Sequence, residues 1–570
     1  MTEMPNPYRT NDVQGNRALI IIVNSTDVPA YAAFHLGVLP ALNHFGFPYR
    51  IADLEKMDFG GLSESAGIVI GHDNVGSALS PSLVSAIAEA SKGGCGLVSL
   101  DGAILKSTPA VQELFGLSEL RSGTFQNIVA SDVEHYVTGM QIPGRLHEFH
   151  LPVTGSYCTR ILPGFRSIAG DADGKTVVVA GSTEGSRKVA FLLSPELWLP
   201  QYFGHAMGID DLLWRSIVWV ARKPFPVLMM PPFAVCRIDD AIGSHDDFGY
   251  IRTLNKHQWI SNIGLFLDDI DEKGAAEIRE CHRSGAGEFS AHSFHEIGDP
   301  LPDQLYIRHD GVEYSLSELQ GIFDRLDAFF AKVGIVPSRT ANIHYDEIGI
   351  NALPFLAARG QFFTMDFIPF GVTWAANSYS WLPYPYGHQS MNYCPMSPDP
   401  RFWNVMGHCL SSYKTPDAWM SPGEFMFGHT PFAGESPATN IAGAVDTALL
   451  SVKVGVSSGF FGTLMCHEQR IQAVTSEEWE RIISGIADGL SGWQIIYRGY
   501  DEIAQYAKDK ARTAISKASF DRATGDLTAE FEGTCDSYLS CYVFHDDEDR
   551  CEYELRHITA FSGTTRLEIS

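Results

Sequence analysis

The chain has 570 residues, which at roughly 100–200 residues per domain means about three to five units. Hydrophobic residues make up 45% and charged residues 19%, which excludes a disordered chain. The 41 basic and 68 acidic residues leave a net charge of −27. That balance argues against nucleic acid, whose phosphates need Lys and Arg, and against an anionic membrane surface.

The start is polar, and its first apolar run is residues 18–23 (ALIIIV). No charged n-region followed by a long apolar stretch marks a signal peptide. The expectation is a cytoplasmic protein, or a secreted one if a leader has been removed. No apolar run reaches the roughly 18–20 residues of a membrane span. The ten cysteines are scattered with no CxxC pair, so free core thiols are expected rather than a zinc ribbon.

The first section alternates buried strands with helical patterns. Residues 18–23, 66–70 and 96–100 read as strands. Ser80-Pro81 and Thr108-Pro109 each open a helix, with a hydroxyl N-cap and proline at the first helical position. Strands at 176–181 and 189–194 and a helix at 209–221 follow. This rhythm predicts a parallel α/β sheet over residues 15–223. The section resembles the glutamine-amidotransferase-like, flavodoxin-like sandwich folds. Those enzymes carry a nucleophilic Cys on the turn after a strand. Here that turn is Asp101-Gly102, and Cys95 precedes the strand, so a scaffold or binding module is expected.

The section 224–510 is again α/β, and the chemistry gathers there. Residues 233–241 read F-A-V-C-R-I-D-D-A, an apolar strand ending in Asp239 and Asp240. Two carboxylates leaving a strand end in different directions suit different tasks, such as metal binding and proton transfer. The bland alternative is a solvated turn. The strand at 262–267 ends in a second acidic pair, Asp268-Asp269. Residues 288–296 read E-F-S-A-H-S-F-H-E, ending in His292, His295 and Glu296. Two imidazoles and a carboxylate so close suit a divalent metal. Residues 460–468 (F-F-G-T-L-M-C-H-E) end a third strand in His467. In parallel α/β folds the carboxyl ends of strands share one rim, where active sites assemble.

These motifs resemble the polysaccharide deacetylase superfamily, the barrel of carbohydrate esterase family four. R-I-D-D at 237–240 resembles its TFDD motif, residues 262–266 its ATFF strand, residues 292–296 its HSxxH motif and residues 464–468 its LHD-type strand. The resemblance implies a central deacetylase-type (β/α) barrel and a divalent metal, with zinc the expected ion. It implies Asp239 as general base and His467 as general acid. Asp240 and His292 would bind the metal with a third ligand. The family's second histidine falls on Glu296 here, and His295 comes one residue early. His295 is taken as that ligand, with Glu296 as the alternative, because neutral imidazole is the commoner transition-metal ligand. Arg339 and His344 stand where the family has an Arg-Pro-Pro strand; without the prolines neither receives a role. A barrel flanked by other modules is similar to carbohydrate esterase family eighteen, the galactosaminogalactan deacetylases.

Aromatics crowd a Pro/Gly-rich stretch at 374–393. Trp381, Tyr384 and Tyr386 there, and His429 in a second loop, are expected to contact a sugar. The helix at 316–333, capped by Ser315 and Glu318 and stopped by Gly334, is expected to be structural. Residues 511–570 alternate with period two and predict a small antiparallel β unit. The expected function is hydrolysis of N-acetyl groups on amino-sugar poly- or oligosaccharides. Competing readings are a metal-free glycoside hydrolase using paired carboxylates, and a non-catalytic carbohydrate-binding protein. For a deacetylase, the acidic surface would hold a cationic amino-sugar product.

Overall fold

The computed structural model describes residues 8–569 except 57–58, 184, 244–247, 296–303, 366–368, 374–392, 394, 406, 408–423 and 432–438. The described residues form two compact units, one from 8–229 and 509–569, the other from 230–508. The tail strands therefore belong to the same unit as the N-terminal sheet.

That sheet has nine strands: β1 (Leu19–Val23), β2 (Tyr49–Asp53), β3 (Gly67–Ile70), β4 (Gly96–Ser99), β5 (Leu117–Ala130), β6 (His147–Ile161), β7 (Phe165–Gly170), β8 (Thr176–Thr183) and β9 (Ser186–Phe191). Their order is β2-β1-β3-β4-β9-β8-β6-β5-β7. The first five run parallel and the rest antiparallel. Apolar runs form β1, β3 and β4 because both faces are covered, and their Ile20, Ile22, Ile68, Ile70 and Leu97 build one core. Strand β2 and the hairpin β5–β6 escape sequence reading. Their surface is half exposed, so polar residues interrupt the apolar signal.

Helix Pro81–Lys92 starts as Ser80-Pro81 predicts, with the Ser80 hydroxyl accepting Leu83 N. The turn after β4 carries Asp101, whose carboxylate accepts the N–H groups of Asn74, Gly76 and Ala103. The described cysteines are all free and buried. Among the described residues no helix is long and apolar enough to cross a membrane.

A short strand β10 (Phe225–Val227) follows. The second unit then adds β11 (Phe233–Ala241), β12 (Ser261–Phe266), β13 (Gly287–Ser293), β14 (Thr340–Ala341), β15 (Phe363–Thr364), β16 (Trp403–Asn404), β17 (Gly462–His467) and β18 (Ile496–Tyr497). Strands β13-β12-β11-β17, with β18 on β11, make one parallel sheet, and β14-β15-β16 make another. The two sheets are tied at Asn342, whose N–H donates to Ser290 Oγ at 3.1 Å. Ile238, Ile263, Leu265 and Phe289 pack with the helix Leu316–Val333 through Leu319, Phe323, Leu326 and Phe330. That helix carries the Ser315–Glu318 capping box and ends on left-handed Gly334.

The tail contains β19 (Thr513–Phe520), β20 (Leu527–Asp547) and β21 (Arg550–Ile569). The period-two stretches 527–531 and 537–544 lie in one continuous strand, β20. A bulge between Cys535 and Tyr538 joins them. Strand β20 pairs with β10, β19 and β21 in one antiparallel sheet.

Candidate metal centre

Three strand ends of the second unit carry the polar residues that the sequence singles out. Strand β11 delivers Asp239 and Asp240, β13 delivers His292, and β17 ends in His467. β11 lies between β12 and β17, with Asp239 in register with His467.

Asp240, His292 and His344 form a buried cluster whose ligand atoms all lie within 4.8 Å of one another. His292 Nε2 is 3.0 Å and His344 Nε2 3.8 Å from Asp240 Oδ1. His292 Nδ1 donates to the carbonyl of Asn342 at 2.9 Å, so Nε2 is the atom turned to the carboxylate. In a neutral ring that nitrogen holds a lone pair, and two acceptors at 3.0 Å call for a proton or a cation between them. Burial opposes charge on Asp240, yet His292 beside it and the charge of His467 hold its carboxyl far below the usual range. Burial likewise opposes charge on His292, but Asp240 and Asp239 raise it. Burial drives His344 down to about 3, which keeps it neutral and its lone pair available.

The residues fit a divalent transition metal. Asp240 Oδ1 and His344 Nδ1 are buried with no hydrogen bond of normal geometry. Two imidazoles and a carboxylate form a donor set suited to zinc, and three protein ligands leave a further coordination position.

Asp239 lies beside this cluster. Its Oδ1 accepts Arg237 Nε at 2.9 Å and Asn342 Nδ2 at 2.8 Å, and its Oδ2 accepts a terminal Arg237 nitrogen at 2.8 Å. Burial pushes this carboxyl up, but Arg237, then His292 and His467, hold it below the usual carboxylate range. Arg237 also meets Asp346 at 3.4 Å. Asp346 is driven up to about 7 by burial, against the pull of Arg237, which places the stronger ion pair on Asp239.

His467 pairs with Glu424, Nδ1 to Oε2 at 3.4 Å, and its backbone N–H donates to Oε1 at 3.1 Å. Arg470 Nε lies 2.9 Å from the same carboxylate. Burial works against charge on His467, but Glu424, with Asp240 and Asp239, pushes the imidazole up to about 9.

His295, expected as the third ligand, lies elsewhere. Its Nε2 is 3.1 Å from Asp268 Oδ2, and its side chain is 49% exposed. The pleat explains this: β13 ends at Ser293, and the chain turns before His295. His344 lies with Asp240 and His292 instead. Glu296, Trp381, Tyr384 and Tyr386 lie outside the described residues. His429 is half-buried and bonds Thr447 Oγ1 at 3.0 Å. Tyr393 is buried against Phe460 and Phe461 and belongs to the core.

The sequence names His344 without giving it a role and gives no sign of Glu424 or Asn342. The run T-A-N-I-H-Y-D at 340–346 repeats the strand-then-polar pattern, but its strand has only two residues. Glu424 follows no apolar run. A charged Arg237 inside an apolar strand was a legible sign of a buried ion pair.

No protein-family model matches the sequence, and no curated protein matches it. Solved structures do. A candidate polysaccharide deacetylase from Mycobacterium smegmatis is 12% identical, covering 48% of this chain and 90% of its own, with a TM-score of 0.33. The chitin deacetylase of Colletotrichum lindemuthianum is 9% identical over 48% of this chain and 88% of its own, with a TM-score of 0.29. A family 4 acetyl xylan esterase from Clostridium thermocellum is 11% identical over 48% of this chain and 89% of its own, with a TM-score of 0.25.

Proposed function

We propose that the protein is a metal-dependent deacetylase that hydrolyses N-acetyl groups of amino-sugar poly- or oligosaccharides. One observation carries the reading. The buried Asp240–His292–His344 cluster is flanked by a carboxylate held ionised by Arg237 and an imidazole held protonated by Glu424. Metal ligands, a base and an acid are the groups that amide hydrolysis needs.

Asp240, His292 and His344 would hold the ion. A divalent metal there supplies a Lewis acid that polarises the acyl carbonyl and acidifies the attacking water. Asp239 accepts the proton of that water at a carboxylate oxygen. Arg237 keeps Asp239 ionised, and Asn342 fixes its direction. His467 gives its proton to the leaving nitrogen, and Glu424 keeps that proton in place beforehand. Acetate and a free amine leave. Trp381, Tyr384, Tyr386 and His429 are the proposed sugar contacts.

The two parallel sheets of the second unit are read as arcs of a deacetylase-type (β/α) barrel spanning about 224–510, as in the multidomain enzymes of carbohydrate esterase family eighteen. Residues 15–223 are read as an amidotransferase-like module without a nucleophile, and 511–570 as a small β domain. Acetate release from N-acetylated amino-sugar oligomers tests the function. Acetate with no new reducing ends supports it; new reducing ends without acetate would replace it with glycoside hydrolysis.

A further inference from the structure

Asp240 sits at an irregular point of β11. Its φ is +57°, a left-handed conformation that residues with a Cβ rarely adopt. The pairing of β11 with β12 slips there, from Ile238↔Ile263 to Ala241↔Leu265. Three steps on β11 match two on β12, so one extra residue is accommodated in a bulge. In a regular strand Asp239 and Asp240 would face opposite sides. Here both reach the neighbourhood of His292. Asp239 bonds the Asn342 side chain, the backbone carbonyl of Asn342 holds His292, and Asp240 meets His292 directly.

Two consecutive side chains grip this bulge from the end of β17. Glu468 is fully buried, and its carboxylate accepts the backbone N–H groups of Ile242 and Gly243, the latter at 2.9 Å. Gln469 donates Nε2 to Asp240 Oδ2 at 3.3 Å. Both open the helix Glu468–Gln472, directly after His467. Gly243 itself has φ +72°, and a Cβ there would come 2.3 Å from the Phe248 ring, so the turn is tightly packed as well.

We propose that Glu468 and Gln469 are positioning residues that hold the Asp240 bulge in its metal-binding form. This rests on the reading of Asp240, His292 and His344 as metal ligands. A buried carboxylate is the acceptor this turn needs, because the N–H groups of Ile242 and Gly243 lie past the end of the β11 ladder. The Gln469 donor takes Asp240 Oδ2 and leaves Oδ1 to the imidazoles. His467 heads the same segment, so the clamp also fixes the proposed acid relative to the metal ligands.

The test uses the full-length chain. Zinc affinity is read by competition with a chromophoric chelator, and ligand geometry by the visible spectrum of the cobalt-loaded protein. Circular dichroism confirms that each metal-free variant folds. Glu468→Gln keeps the size but sets an amide NH2 against a backbone N–H. It is expected to weaken zinc binding about 10- to 100-fold and to change the cobalt spectrum. Gln469→Leu is expected to lose about 10-fold and decides the matter alone if Glu468→Gln does not fold. Wild-type affinity and spectrum in the folded variants would overturn the clamp. If Asp240→Asn then still fails to bind zinc, only the clamp falls. If the folded wild-type protein binds no zinc, the metal site falls and the clamp with it.

Discussion

Asn342 holds Asp239 through its side-chain amide, Nδ2 to Oδ1 at 2.8 Å, and at the same time receives the Nδ1–H of His292 on its carbonyl at 2.9 Å. One residue just past β14 thus orients the proposed base by its side chain and a proposed metal ligand by its backbone. The two tasks separate on mutation. Asn342→Ala removes the first and keeps the second, so metal content is expected to stay while kcat falls by about 10- to 100-fold. Asp239→Asn should also keep metal and lose about 10²- to 10⁴-fold in kcat, the usual worth of a general base. Metal analysis beside acetate-release kinetics checks both variants.

The proposed third metal ligand separates two histidines. His344 lies in the cluster, while His295 bonds Asp268 at the surface. His344→Ala is expected to lose zinc on dialysis, and His295→Ala to retain it. Elemental analysis of the dialysed proteins reads the difference directly.

The pH profile reports the two flanking pairs. The acid works protonated, and Glu424 raises His467 against burial to about 9. A bound cation repels that proton, so the alkaline limb of kcat should lie at or below about 9. Glu424→Gln removes the lift and moves this limb to lower pH. The base works ionised, and Arg237 lowers Asp239 against burial. Arg237→Lys keeps the charge but not the paired contacts, so the acid limb should move to higher pH. Limbs that stay fixed in both variants would separate these pairs from the chemistry.

Much of the site was legible because its residues end apolar strands. Asp239, Asp240, His292 and His467 each follow three or more buried residues, and the chain has to change from apolar to polar where a strand meets the rim. His344 received no role because the prolines of the resembled motif are missing, and β14, at two residues, gives no apolar run to mark it. His295 is close to His292 in sequence and has the preferred ligand type, but the turn after Ser293 carries it to Asp268 at the surface. The Asp240 bulge has no sequence signature of its own. It depends on Glu468, 228 positions later, and spacing cannot reveal such a contact.

The helix Leu316–Val333 offers a control away from the chemistry. Ser315→Ala removes the hydroxyl that accepts Glu318 N and should cost about 1 kcal/mol. Thermal unfolding should record that loss while the metal content stays that of the wild type.

The most direct test is acetate release from N-acetylated amino-sugar oligomers by one preparation carried through three states: as purified, stripped by a chelator, and reloaded with zinc. A working Asp240–His292–His344 centre predicts activity, its loss and its return, with Asp240→Asn inactive throughout. Undiminished acetate release from the stripped protein, or from Asp240→Asn, would contradict it.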